Sequence, residues 1–198
     1  METQAKIFIV LTRSPTILSG LIHRVTRAEY THAALALDEN LDYMFSFGRR
    51  RVSNPFIGCF KRESLNDEIY GNCEELPGVI AEIPVTPAQY AEICGIIESF
   101  LLNHHNYSYN TFGLIRNLVR MPSEHDTRFF CSEFVYYVLK ESGVCDLGVL
   151  RGDIRPENLL EINGRIAFEG NLAQLRNKKT KQQNRQRFLN LPQASNVQ

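Results

Sequence analysis

The chain has 198 residues, of which 43% are hydrophobic and 22% charged, proportions ordinary for one soluble globular domain with a sizeable core. No apolar run approaches the roughly 20 residues needed to span a bilayer, and Ile7 to Leu11, behind a start of mixed charge, is too short for a signal peptide. A cytoplasmic protein is therefore expected. The formal net charge of zero hides an asymmetry, because Arg176, Lys178, Lys179, Lys181, Arg185 and Arg187 follow Glu169 with no acidic residue among or after them.

In chain order, Ile7 to Leu11 fits a buried strand. Ser14-Pro15-Thr16 supplies a turn and a helix start, and Ile17 to Val25 carries apolar residues at helical spacing. Thr31 to Leu37 and Leu41 to Phe47 flank Asp38-Glu39-Asn40 and predict a β-hairpin with a short loop. Gly48 to Pro77, rich in Arg, Asn, Gly and Pro, reads mainly as loops with a short strand near Phe56 to Lys61. Gly78 to Val85 is β-rich. Thr86-Pro87 then opens a helix running to about Leu102, with proline at its first position.

His104 to Asn110 is a polar, aromatic connector, and Thr111 to Val119 reads as a short helix. Phe129 to Leu139 is apolar at helical spacing and stops at Ser142-Gly143. Asn158 to Leu160 reads as a turn of helix, and Arg165 to Phe168 as a last strand. The order is mixed α+β. Residues 1–172 form the expected domain. Residues 173–198 form a basic, disordered tail, either solubilising or a contact for nucleic acid or an anionic surface.

The cysteines are Cys59, Cys73, Cys94, Cys131 and Cys145. Their odd number, irregular spacing and lack of any C-x-x-C pair give neither a zinc ribbon nor a redox motif, and no metal or cofactor is expected. Cys94 falls in mid-helix among Ile93, Ile96 and Ile97 and reads as core, while Cys59 and Cys145 lie in turn-like segments. Cys131 differs from them. It opens the helix that follows Phe130, where the dipole and exposed N–H groups favour a thiolate and can stabilise an oxyanion. Position alone leaves a buried structural thiol equally open.

His32 lies on the hairpin with Ala34 and Ala36 on one face and Leu35 and Leu37 on the other. Counting back from a three-residue loop places His32 opposite Ser46, on a face of small residues that another element can approach. A strand histidine satisfied by a neighbour is the plain alternative. His125, in a loop before the cysteine helix, is the rival base. His104-His105 ends a helix and suits its last carbonyls, and Arg49-Arg50-Arg51 reads as a solvated loop at a cleft edge.

The segment Thr31-His32-Ala33-Ala34-Leu35-Ala36-Leu37, followed much later by Phe130-Cys131-Ser132-Glu133-Phe134-Val135, resembles the circularly permuted, YiiX-like branch of the NlpC-type papain-like cysteine hydrolases. In that branch the histidine strand precedes the cysteine helix. Asn106-Tyr107-Ser108-Tyr109-Asn110 and Arg155-Pro156-Glu157-Asn158-Leu159 are similar to the family's tyrosine-containing and proline-containing segments, so the resemblance runs from about residue 6 to about 170. It implies a papain-like fold, an antiparallel sheet packed against helices, and a thiol hydrolase that works through an acyl-enzyme. Cys131 would be the nucleophile and His32 the base.

The resemblance also puts Ser46 at the third position, where it would orient the imidazole more weakly than a carboxylate does. Tyr107 would line the cleft or donate to the oxyanion, unless it packs under the cysteine helix. Three functions are compatible with this: an amide-cleaving peptidase or amidase, an acyltransferase or thioesterase with an apolar cleft lined by Met44, Phe47 and Phe56, and a non-catalytic binding module. The expected partner is a small-molecule, peptide or acyl substrate.

Overall fold

Apolar side chains fill both faces of the first strand, β1 (Ala5–Thr12), which marks it as a central strand covered on both sides. In the computed structural model, which describes residues 4–13, 28–51, 54–71, 73–103, 108–109 and 128–176, β1 pairs antiparallel with β2 (His32–Ala36) and, on its other side, with β5 (Pro77–Val85). With β3 (Met44–Arg51), β4 (Asn54–Glu63) and β8 (Arg165–Asn171) they form a six-stranded antiparallel sheet in the order β4-β3-β2-β1-β5-β8. A separate parallel pair joins β6 (Ser108–Tyr109) to β7 (Arg128–Phe129).

Helices among the described residues include α1 (Glu68–Gly71), α2 (Pro87–Leu102) and α3 (Cys131–Glu141), with 3-10 turns at Arg151–Asp153 and Pro156–Glu161. The start of α2 follows its predicted chemistry. The Gln89 N–H donates to Thr86 Oγ1 at 3.2 Å and the Thr86 N–H to Gln89 Oε1 at 2.9 Å, a reciprocal cap on two otherwise orphaned donors. Ile93, Ile97 and Phe100, at helical spacing, are its buried face.

Strand alternation divides the interior in two. On one face Ile7, Ile9, Leu35, Phe47 and Phe60 pack with Ile93 and Phe100 of α2 and with Phe134 and Val138 of α3. On the other, Phe8, Val10, Ala34, Ala36 and Met44 pack with Leu65, Tyr70, Leu76 and Leu172. Mixed α and β structure around one antiparallel sheet is thus as expected. No helix among the described residues is long and apolar enough to cross a membrane.

Three expectations change. The segment read as loops from Gly48 to Pro77 contains the end of β3, all of β4 and α1, so Arg49 to Arg51 and Cys59 belong to strands. The hairpin loop is longer than three residues: Leu37 N–H donates to Tyr43 O at 3.0 Å, which leaves Asp38 to Asp42 in the turn. There the Asp38 carboxylate accepts the N–H groups of Asn40, Asp42 and Tyr43. Finally, folded chain continues past residue 172. Leu172 is fully buried, and the Arg176 guanidinium donates to the carbonyls of Gly71 and Cys73. The helices expected at 17–25 and 111–119, and residues 177–198, lie outside the described residues.

Candidate active site

His32 is the first residue of β2, so its ring stands at the end of the sheet. Its Nε2 is 2.9 Å from Glu63 Oε2. The Cys131 side chain is near enough to contribute to the raised pKa of the imidazole, and with Nε2 on the carboxylate, Nδ1 is the ring nitrogen left to face the sulfur. Thiol, imidazole and carboxylate are thus brought together, the grouping a thiol–imidazole catalyst requires.

Two sides of the sheet contribute to this group. Parity places His32 with Ala34 and Ala36, and its ring is 6.3 Å from that of Tyr70 in the same cluster. Cys131 belongs to the opposite cluster, as the first residue of α3. Glu133 caps α3: its Oε2 accepts the Phe130 N–H at 2.7 Å, so this carboxylate serves the helix start and not the histidine. Ser132 Oγ donates to Ile154 O at 2.8 Å, and the Tyr30 N–H donates to Glu157 Oε1 at 3.2 Å. The segment around Arg155-Pro156 thus braces the cysteine helix and the lead into the histidine strand together. A helix start presents N–H groups that lack a carbonyl one turn earlier, which suits a developing oxyanion beside a sulfur on the first residue of α3.

Glu63 stands where Ser46 was expected. The observed β2–β3 register pairs Leu35 with Phe45 and Ala36 with Met44. Continued, it brings Ser46 level with Ala34, two residues short of His32. The longer turn moved the register by two residues, which preserves the face and changes the partner. Ser46 is buried beside the Glu63 carboxylate but makes no hydrogen bond of good geometry.

Glu63 reaches His32 across β3, and Gly48 leaves the path open. A Cβ at that position would lie 2.9 Å from Glu63 Oε1, closer than real side chains approach, and 3.0 Å from Lys61 Cε, a tight contact. The carboxylate also receives Lys61 Nζ at 3.1 Å on Oε1 and the Tyr70 hydroxyl, at a long 3.4 Å, on Oε2.

Burial by itself would lower the pKa of His32. The Glu63 charge, with the hydrogen bonds to Cys131 and Glu63, overcomes it and raises the imidazole from 6.5 to about 10. Burial pushes Glu63 upward in turn, but the His32 charge and hydrogen bond, with Lys61, bring it down from 4.5 to about 2. The pair is therefore ionised at neutral pH. A raised base stabilises the fold fully below pH 6.5 and loses that contribution as pH rises to about 10, whereas a depressed acid contributes above 4.5 and loses it toward about 2. The stability difference between wild type and Glu63→Gln, measured by urea unfolding across pH, should accordingly be largest between pH 4.5 and 6.5. A difference independent of pH would contradict the ion pair.

Of the five cysteines only Cys131 is buried. Cys94, expected in the core, is partly exposed, and its partial burial raises its pKa. Met44 and Phe47, expected to line an acyl cleft, are each buried within one of the two apolar clusters. Tyr107, His104, His105 and His125 lie outside the described residues. Among the described residues no group of three His, Cys, Asp or Glu side chains is placed to hold a metal ion. Sequence reasoning missed Glu63; the strand predicted near Phe56 to Lys61 lies within β4, which runs two residues further and ends on Glu63. No protein-family model and no curated protein matches the chain.

Proposed function

We propose that the protein is a thiol hydrolase that cleaves an amide bond through an acyl-enzyme, with Cys131 as nucleophile, His32 as proton carrier and Glu63 as the group that orients and charges His32. The fold is read as papain-like in the permuted, NlpC-type order, histidine strand before cysteine helix. One observation carries the reading: the His32 ring meets the Glu63 carboxylate at 2.9 Å and has the Cys131 side chain near enough to affect its charge.

The charge state of His32 gives the order of events. An imidazolium has a proton to give, and the reactive form of a sulfur that attacks the carbonyl carbon is the thiolate. Negative charge moves to the carbonyl oxygen, which the first-turn N–H groups of α3 can receive. Collapse of the tetrahedral species breaks the C–N bond, and the amine leaves with the proton from His32. The imidazole, then neutral, takes a proton from water as its oxygen attacks the thioester. The second collapse releases the acid and restores thiolate and imidazolium.

Glu63 also bears on the competing functions. A serine in the third position favoured a module without turnover, and a buried carboxylate removes that ground. The burial of Met44 and Phe47 in the interior takes away two of the three residues that favoured an acyl-chain cleft.

Labelling with an electrophilic probe tests the reading, one probe mimicking an amide and a second a long-chain acyl ester. Wild type should label at Cys131. Cys131→Ala should not label, His32→Ala should label far more slowly, and Cys94→Ala should match wild type. Undiminished labelling of Cys131→Ala would sink the proposal, and preference for the acyl ester would move it to the acyltransferase reading.

A further inference from the structure

Lys61 is placed to do more than fill a strand position. Its Nζ is 3.1 Å from Glu63 Oε1, while His32 Nε2 is 2.9 Å from Oε2. One carboxylate, 1% exposed, is thus shared between two cations whose side chains are 21% and 16% exposed. The other groups facing the carboxylate are neutral: the Tyr70 hydroxyl from α1, held in its protonated form chiefly by burial and then by the Glu63 charge, and the Ser46 hydroxyl from β3. Arg62, next in the strand, turns away and donates to Asp42 O. Gly48 leaves the room that the Lys61 and Glu63 side chains occupy together.

The charges add simply. Glu63 cancels one cation and leaves one positive charge beside the Cys131 sulfur, so the buried cluster is neutral when that sulfur is a thiolate. Without Lys61 the carboxylate would cancel His32 instead, and the sulfur would face a neutral pair.

We propose that Lys61 is a positioning residue that balances Glu63, so that the charge of His32 is available to the thiolate of Cys131. This rests on the dyad reading above and deepens it. The residue acts through Glu63 and need not touch substrate. An uncompensated charge in a poorly solvated place is costly, so the cluster favours the composition in which its charges sum to zero.

Iodoacetamide alkylation, followed at the Cys131 peptide by mass spectrometry as a function of pH, tests it in the full chain. At pH 6, Lys61→Met, which keeps the length of the side-chain stem, should alkylate about tenfold more slowly than wild type, the factor for about 1.4 kcal/mol of lost charge stabilisation. The gap should close above about pH 9, where ordinary thiols are ionised. Lys61→Arg should restore the wild-type profile, and Lys61→Gln should repeat the defect should the methionine variant not fold.

A profile for Lys61→Met or Lys61→Gln superimposable on wild type, with His32→Ala slow at pH 6, would overturn the role of Lys61 alone. Equal loss at every pH, unrescued by arginine, would also overturn it, since a merely structural residue behaves that way. Should His32→Ala match wild type at pH 6, the dyad itself fails, and the two failures are told apart by that control.

Discussion

Glu63→Gln should lower the second-order rate of acylation of Cys131 by about 10²- to 10⁴-fold, the range spanned by a general acid–base group. The substitution keeps the shape of the side chain and removes its charge. In wild type that charge outweighs burial and holds His32 at about 10. With an amide in its place burial prevails and the imidazole loses its proton below neutrality. An amide can also present its NH₂ to Nε2, which leaves the ring proton on Nδ1, where it no longer accepts from the thiol. Two signatures should therefore appear together: the fall in rate, and an alkaline limb that moves from near pH 10 in wild type to below pH 7 in the variant. A rate–pH profile with its alkaline limb unmoved would show that His32 does not draw its charge from Glu63.

The second large effect is on the fold. Phe134→Ala should cost about 3–5 kcal/mol of stability, the range for removing a large aromatic side chain from a core, against a total of about 5–15 kcal/mol for a domain. Phe134 is fully buried, with its ring 5.6 Å from Phe47, 5.2 Å from Phe60 and 5.3 Å from Phe100. It joins α3 to α2 and to two strands at once, so the cavity has walls from three other elements and little freedom to collapse. Urea unfolding measures the loss. A cost below about 1 kcal/mol, the level of an exposed position, would mean that the aromatic cluster is not the centre of this core.

Much of this was legible in the chain and some was not, for definite reasons. Apolar runs identified β1 and β5, and the Thr86-Pro87 start located α2, because burial and capping leave local marks. The face of His32 was correctly read although its partner was not. Alternation has a period of two, and the turn displaced the register by two residues, so the error cancelled for orientation and survived for pairing.

Glu63 was missed for a different reason. Lys61-Arg62-Glu63 has the composition of a solvated surface, and only the neighbouring strands give it a buried environment. Gly48 looked like a turn residue, yet it lies in β3, where its missing side chain lets Glu63 and His32 meet. Such a role depends on which strands become neighbours, a fact that one sequence does not spell out.

His32 and Cys131 have separate anchorages. The imidazole is fastened to the layer of Phe8, Val10 and Tyr70, the thiol to the layer of Phe134 and Val138, and the sheet is the partition between them. Chemistry at the sheet's end is thereby a gauge of how well two hydrophobic compartments stay aligned. Damage deep in either compartment, far from the sulfur, reaches the reaction by the same route, as a loss of registration between two atoms that neither compartment holds alone.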